Sequence, residues 1–313
     1  MTDILTVTVN PALDVSTSAD QVVDSHKLRC SAAQFHPGGG GINVARVLHR
    51  LGSDCLALYA AGGVTGERLG QLLDQEQVPR HCLAIAQETR ESFSVHELAS
   101  GRDFRFVLLP GPTLTPLERD AFLDYCKALV TPPRYVVASG SLPPGVPADF
   151  YAQLATLATS RGSRFVLDSS GAPLAAALAA GVHLVKPSLR ELRELTGRPL
   201  VTKAEWLAAA RQIVTAGQAQ IVALSLGADG ALLVTADRAL RAGSVPVTVA
   251  STIGAGDSFL AGLVWALNRE ADLEQAFRYG MAAGAAALLT AGTALCQPAD
   301  VERLARQVVV TPA

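Results

Sequence analysis

An α/β fold is what this sequence predicts: a parallel β-sheet covered by helices on both faces, with a smaller β-sheet set beside it. Short apolar runs alternate with helical segments along most of the chain, and such alternation builds parallel sheets buried on both sides. Apolar residues make up 49% of the 313 positions, enough for a large core in a single domain over 1–313. Two stretches break the rhythm by alternating apolar and polar residues, the pattern of a hairpin.

Residues 4–9 read as the opening strand and 42–51 as a helix stopped by Gly52. Strand-like residues 55–61 and helical residues 66–75 follow, then short apolar runs at 135–138, 165–168, 183–186 and 221–226 separated by helical segments. Parallel sheets bind ligands at the carboxyl ends of their strands, so the loops just after these runs carry the functional interest. Residues 92–98 and 103–108 form the hairpin, turning at Ser100-Gly101-Arg102. Residues 15–35 are strand-like and too polar for a core element. Together these pieces make a small sheet, a lid spanning about residues 15–35 and 88–110. Its open apolar face needs a cover, either a cleft or a second subunit.

The formal net charge of −2 argues against nucleic-acid or anionic-lipid partners. The start, MTDILTVTVNPALD, lacks the basic and apolar regions of a signal peptide, and no apolar run is long enough to span a bilayer. The five cysteines form no CxxC pair, as expected of reduced thiols in a cytoplasmic protein. The six histidines show no metal-ligand spacing.

The strongest chemical signal is Ser251-Thr252-Ile253-Gly254-Ala255-Gly256-Asp257, followed by an apolar helix. Glycines let successive N–H groups turn toward one point, and a helix N-terminus adds positive potential: an anion hole for a phosphoryl group. Asp257 then stands where an acceptor hydroxyl must lie, ready to take its proton, unless it merely caps the helix. Pro37-Gly38-Gly39-Gly40-Gly41-Ile42-Asn43 precedes another helix and allows close backbone approach to a ligand, with Asn43 able to bond a sugar hydroxyl. A dinucleotide-binding turn, and with it an oxidoreductase, is the rival; that fingerprint belongs directly after the first strand, and these glycines come later. Asp14 follows the first strand and suits a sugar diol or an ordinary turn. Lys27, Arg29, Arg90 and Arg105 fall in the lid; converging on a cleft they would hold a phosphate, and otherwise they are solvated charges. Glu191, after Lys186 and Ser188, suits water-mediated Mg²⁺ binding or stabilises a helix start. Ser225, Gly227 and Gly230 form a turn after a strand, near enough to nucleotide phosphates or simply a turn.

Taken together, the Gly38–Asn43 stretch and Gly254-Ala255-Gly256-Asp257 at this separation resemble the ribokinase/PfkB family of sugar kinases, over essentially the whole chain. The resemblance implies a three-layer α/β/α ribokinase-like domain with a β-sheet lid, dimerised through that lid. It implies an enzyme using ATP and Mg²⁺, with Asp257 as base and Gly254, Ala255 and Gly256 as anion hole. Asp14, Gly38, Gly39, Asn43, Arg90 and Ser141 match sugar-side positions, and Lys186, Ser188, Ser225, Gly227, Gly230 and Thr252 match nucleotide-side ones. Ser251, Ile253, Ala287, Thr290, Gly292 and Ala294 match a K⁺ site built largely from carbonyls. Lys27-Leu28-Arg29-Cys30, Arg105-Phe106-Val107, Ser139 to Gly145 and Asp168-Ser169-Ser170-Gly171 are most similar to the PfkB-type 6-phosphofructokinases. Fructose 6-phosphate is thus the expected acceptor, tagatose-6-phosphate kinase and 1-phosphofructokinase being the alternatives. Those two kinases carry a lysine where this chain has Gly40. A dead sugar-binding regulator is disfavoured by the intact Asp257. The family's Asn-x-x-Glu appears here as Ser188-Leu189-Arg190-Glu191.

Overall fold

The computed structural model describes residues 2–24, 27–107 and 110–313, Val107 by its backbone only. Residues 25, 26, 108 and 109, within the predicted lid and including the expected end of the hairpin at Leu108, lie outside the described residues. The elements run β1 (Ile4–Thr8), β2 (Ala12–Ala19), β3 (Gln34–Gly38), α1 (Gly40–Arg50), β4 (Cys55–Ala61), α2 (Gly63–Gln75), β5 (Arg80–Ala84), β6 (Arg90–Glu97) and β7 (Arg102–Val107). They continue with α3 (Pro116–Ala128), β8 (Tyr135–Ser139), α4 (Phe150–Ser160), β9 (Arg164–Asp168), α5 (Gly171–Ala180), β10 (Val182–Val185), α6 (Leu189–Thr196), α7 (Lys203–Thr215) and β11 (Ala219–Ser225). The chain closes with β12 (Ala231–Val234), β13 (Ala239–Ala242), α8 (Ala255–Asn268), α9 (Leu273–Ala287), α10 (Pro298–Ala305) and β14 (Val310–Pro312).

Among the described residues one sheet has ten strands in the order β14-β13-β12-β11-β10-β9-β8-β1-β4-β5. Side chains of a strand point alternately to its two faces, and here both faces are apolar. Leu5, Val7, Val136 and Ala138 pack into a core with Phe122, Tyr151, Leu174 and Ala209, beneath α3, α4, α5 and α7. Ile4, Tyr135 and Val137 enter the opposite core with Val44, Leu260, Phe277 and Val301 of α1, α8, α9 and α10. The three-layer α/β/α arrangement follows from that alternation.

The sheet departs from the expected all-parallel form. β12, β13 and β14 pair antiparallel; β12 does so because only residues 226–230, with the 3₁₀ turn Gly227–Asp229, separate it from β11, and a parallel return needs a crossover of a dozen residues or more. The short edge strand β5 and the earlier start of α2 also go beyond the sequence reading.

The second sheet runs β3-β2-β6-β7. It begins at Ala12, so Asp14 lies inside β2, opposite His36 and Ser92, and not in a turn after β1. The described residues within 20–33 form no strand; Lys27 and Arg29 are exposed there and not in a β piece, since the sequence has no apolar–polar alternation to bury. Phe35, Val15, Phe93 and Phe106 are cross-strand neighbours in one row. Part of that apolar face is covered from within the chain, the guanidinium of Arg68 on α2 lying 3.4 Å over the Phe35 ring.

Candidate active site

The cleft opens where the carboxyl ends of β1, β8, β9, β10 and β11 meet the small sheet. Two helix N-termini converge on it. α1 is preceded by its cap Gly39, whose φ of 116° is closed to most L side chains. A Cβ on Gly40 or Gly41 would lie 2.1 Å from Ser139 Oγ or 2.5 Å from Thr8 Oγ1. The glycine run is therefore needed for α1 to approach β1 and β8. α8 is preceded by its cap Gly254, with φ 76°. α1 and α8 are joined by a hydrogen bond from Trp265 Nε1 to the Leu51 carbonyl, 2.8 Å. That packing brings Asn43 to Asp257, 214 residues away, and Asn43 Nδ2 donates to Asp257 Oδ2 at 2.8 Å. The Asn43 side chain, read from the sequence as able to bond a sugar hydroxyl, thus also bonds the carboxylate.

Asp257 keeps part of its surface open to the cleft. Its carboxyl is pushed up to about 7, chiefly by burial and then by the Asp168 carboxylate, against the pull of Asn43 and Lys186. Lys186 Nζ pairs with Asp168 Oδ1 at 3.1 Å, both side chains largely buried. Burial also raises Asp168, partly offset by Lys186. Burial opposes the Lys186 charge, but Asp168, Glu191 and Asp257 outweigh it and hold the ammonium protonated. A Cβ on Gly256 would stand 3.5 Å from Lys186 Nζ. The α8 N-terminus and this ammonium therefore face one spot beside Asp257, the electrostatics of an anion site.

On the side of the small sheet, Asp14 is raised to about 6 by burial, with Thr293, Arg105, Arg46 and Arg90 nearby pulling the other way. A Cβ on Gly38 would meet the Asp14 carboxyl at 2.4 Å. Arg90 is braced by Asn10, its Nε on Asn10 Oδ1 at 3.0 Å and Nη2 on the Asn10 carbonyl at 3.1 Å. Asn10 Nδ2 in turn donates to Ser141 Oγ at 3.2 Å. Arg90 Nη1 is buried and has no hydrogen-bond partner among the described residues. A buried guanidinium nitrogen left unpaired fits an anionic ligand. Arg105 is exposed near Asp14.

On the far side of α8 lies a cavity of about 530 Å³ lined by Ser225, Gly227, Gly230, Val247, Thr252, Gly256, Phe259 and Leu288 among others. It is mostly apolar and ends at the anion site, the shape for a flat heterocycle with a charged tail. Ser188 adjoins Ser225 through an isolated bridge. The Ser188 backbone N–H donates to Glu191 Oε2 at 2.8 Å and Glu191 N–H donates back to Ser188 Oγ at 3.2 Å, a capping box opening α6.

The segments carrying Ser251, Ile253, Ala287, Thr290, Gly292 and Ala294 do come together: Ala250 N–H donates to the Leu288 carbonyl at 2.7 Å. Their oxygens are neutral carbonyls and hydroxyls, a donor set suited to a monovalent cation. The Ala287 carbonyl accepts from Thr290 Oγ1, and the Ala294 carbonyl from Arg50 Nη1 at 2.5 Å. No cluster of three or more His, Cys, Asp or Glu residues is placed to hold a metal among the described residues. Asn10, Asp168 and Arg46 were not singled out as site residues; Asn10 and Asp168 stand at carboxyl ends of strands, which is the signal for them.

The model of the pfkB family carbohydrate kinases matches residues 10–300. The chain is 47% identical over 300 residues to the ATP-dependent 6-phosphofructokinase isozyme 2 of Mycobacterium tuberculosis, covering 96% of this chain and 88% of that one. It is 42% identical over 307 residues to the protein of the same name from Escherichia coli, covering 97% and 98%. Crystal structures of phosphofructokinase-2 from Escherichia coli, in complex with potassium and with fructose-6-phosphate, match with TM-scores of 0.92 and 0.91 at 40% identity, covering 98% of this chain and 99% of theirs. Arabidopsis thaliana ribokinase, with a TM-score of 0.74, 18% identity and coverage of 98% of this chain and 99% of its own, shares the ribokinase-like fold alone. The chain belongs to the pfkB family of carbohydrate kinases.

Proposed function

We propose that this chain transfers the γ-phosphoryl group of ATP to the 1-hydroxyl of fructose 6-phosphate, giving fructose 1,6-bisphosphate and ADP. The observation that carries the reading is Asp257, with its raised carboxyl, standing between the nucleotide-shaped cavity and the sugar side at the start of α8. The acceptor is supported by the isozyme 2 relatives and by Arg90 Nη1, a buried donor without a partner among the described residues.

In this reading Asp14, Gly38, Gly39 and Ser141 orient the sugar, with Asn43 beside the base. Arg90 and Arg105 hold the 6-phosphate, aided by Lys27 and Arg29 as the lid closes and excludes water. Ser225, Gly227, Gly230 and Thr252 line the nucleotide cavity. Asp257 accepts the hydroxyl proton while the sugar oxygen bonds to phosphorus and the bond to the β-phosphate oxygen breaks. The Gly254, Ala255 and Gly256 amides, the α8 N-terminus and Lys186 stabilise charge on the moving group. Glu191, backed by Ser188, would hold Mg²⁺ through water; when bound, that ion neutralises phosphate charge. Ser251, Ile253, Ala287, Thr290, Gly292 and Ala294 would hold K⁺. The chain works in the cytoplasm as a homodimer joined through its lids. Gly40 supports the choice against the lysine-bearing kinases, since a side chain there meets Ser139 Oγ.

A coupled ADP-release assay tests the reading across fructose 6-phosphate, tagatose 6-phosphate, fructose 1-phosphate and fructose. Fructose 6-phosphate should show the highest kcat/KM, and unphosphorylated fructose should be poorer by at least ~100-fold, a gap that Arg90→Ala narrows. Asp257→Asn should lower kcat by roughly three orders of magnitude. A higher kcat/KM for fructose 1-phosphate would overturn the acceptor, and an Asn variant keeping more than about a tenth of kcat would overturn the base.

A further inference from the structure

We propose that Arg46 is a positioning residue for the phosphoryl transfer: it fixes which end of the Asn43 side-chain amide faces Asp257. The inference rests on Asp257 being the base. At 1% exposure, Arg46 cannot reach a ligand in the cleft, so whatever it does for catalysis passes through its neighbours. Its Nε contacts both oxygens of Glu76 at 3.0 Å, and Nη2 lies 2.6 Å from Glu76 Oε1. Thus clamped, Nη1 donates to the Pro37 carbonyl at 3.1 Å and the Thr293 carbonyl at 3.0 Å, and makes a longer third contact of 3.4 Å with Asn43 Oδ1. Residues 43 and 46 are three apart on α1 and so share a face.

A guanidinium is a donor only, whereas an amide has one accepting and one donating end. With Arg46 behind it, the accepting end of Asn43 must turn inward, leaving the donating end on Asp257. An ionised carboxylate alone would impose the same orientation. Asp257, however, titrates near neutrality, and its protonated form can donate to the amide oxygen instead. Arg46 penalises that flip, keeps the donor in place through the protonated state, and so favours release of the proton and return of the base to its working form. The other groups facing Asp257 are Asp168, Lys186 and Asp14. Those facing Arg46 are Glu76, Arg50 and Asp14, with His36 on β3 lowered by burial and by Arg46. Among these, Arg46 is the group in contact with the Asn43 oxygen.

The test is the acid limb of kcat/KM against pH. Arg46→Gln, whose side chain can offer a donor or an acceptor, should move that limb up by about one pH unit, the scale of losing one hydrogen bond to a charged group. Arg46→Lys, still a donor-only cation, should stay within ~0.3 unit of wild type. Adding Arg46→Gln to Asn43→Ala should move the limb no further than Asn43→Ala alone, because the effect is relayed by the amide. A shift that persists in the Asn43→Ala background, or an Arg46→Gln enzyme with lowered thermal stability and an unmoved limb, would overturn the proposal. Should Arg46→Gln fail to fold, neutron diffraction from perdeuterated wild-type protein reads the amide directly: deuterons of Asn43 Nδ2 pointing at Asp257 are expected, and Oδ1 there overturns it. A fully active Asp257→Asn enzyme would refute the base assignment and leave that amide observation standing, so the two failures are distinguishable.

Discussion

The carboxyl of Asp257 faces two others, Asp168 and Asp14, with the Lys186 ammonium and the Asn43 amide as counterweights. An unfolded aspartate ionises near 3.8, whereas this one is held near 7. Between those values the folded chain keeps a proton that the unfolded chain has lost, so stability falls as pH rises through the window and the whole cost is present above about 7. Asp14, raised to about 6, adds a smaller cost of the same sign. Replacing Asp257 by Asn removes the charge that burial opposes. Its Tm should therefore exceed that of wild type at pH 8, by about 2 °C for each kcal/mol relieved, and converge on it near pH 4. Thermal scans at both values check this; a variant less stable at pH 8 would mean that Asp257 is better compensated than its surroundings imply. In the native enzyme, kcat/KM should fall as pH drops through about 7, when the base becomes protonated.

At the scale of the element, α6 shows one pair of residues open to two roles. Ser188 and Glu191 form the capping box that starts the helix, and the same carboxylate influences Asp168 and Lys186. The roles separate by substitution. Glutamine also serves at the third position of a capping box, so Glu191→Gln should leave Tm nearly unchanged while raising the free Mg²⁺ needed for half-maximal rate. Ser188→Ala should cost about 1 kcal/mol of stability through the lost cap. Ser188→Asn keeps a good cap and should lower the Mg²⁺ requirement. Equal Mg²⁺ dependence in wild type, Glu191→Gln and Ser188→Asn would reduce Glu191 to a helix-starting residue.

For the molecule as a whole, the small sheet presents two unlike faces. Its polar face carries Asp14, Ser16, Ser94 and Arg105 in register, and Gly292 approaches Ser16 from the main domain. Its apolar face is only partly covered, Phe93 and Phe106 remaining 36% and 52% exposed with ring centroids 6.1 Å apart. Aromatic residues left open on a sheet face are the raw material of a stable interface. We expect wild-type protein to sediment as a dimer at micromolar concentration and Phe106→Asp to sediment as a monomer with its far-UV spectrum unchanged. A wild-type monomer in the ultracentrifuge would refute assembly through this face.

The apolar runs, their alternation with helical segments and the glycines at both helix starts are local properties, so the sequence alone determined the α/β class, the hairpin and the two glycine-rich helix starts. Why glycines stand at 38, 40 and 41 is a tertiary matter: a side chain at 40 or 41 would meet Ser139 of β8 or Thr8 of β1, and one at 38 would meet Asp14 of β2. What the tertiary structure decided are relations between distant residues. Asp14 moved from a turn into a strand because its partners, His36 and Ser92, come from strands formed later in the chain. Asn43 meets Asp257, and Arg46 meets Glu76 and the Thr293 carbonyl, through packing of α1 against α2, α8 and the segment after α9. Such contacts leave no periodicity or spacing to read. They exist only once burial of two apolar faces has fixed where each helix lies, and it is that burial which raises the carboxyl of Asp257 toward the pH at which a base works.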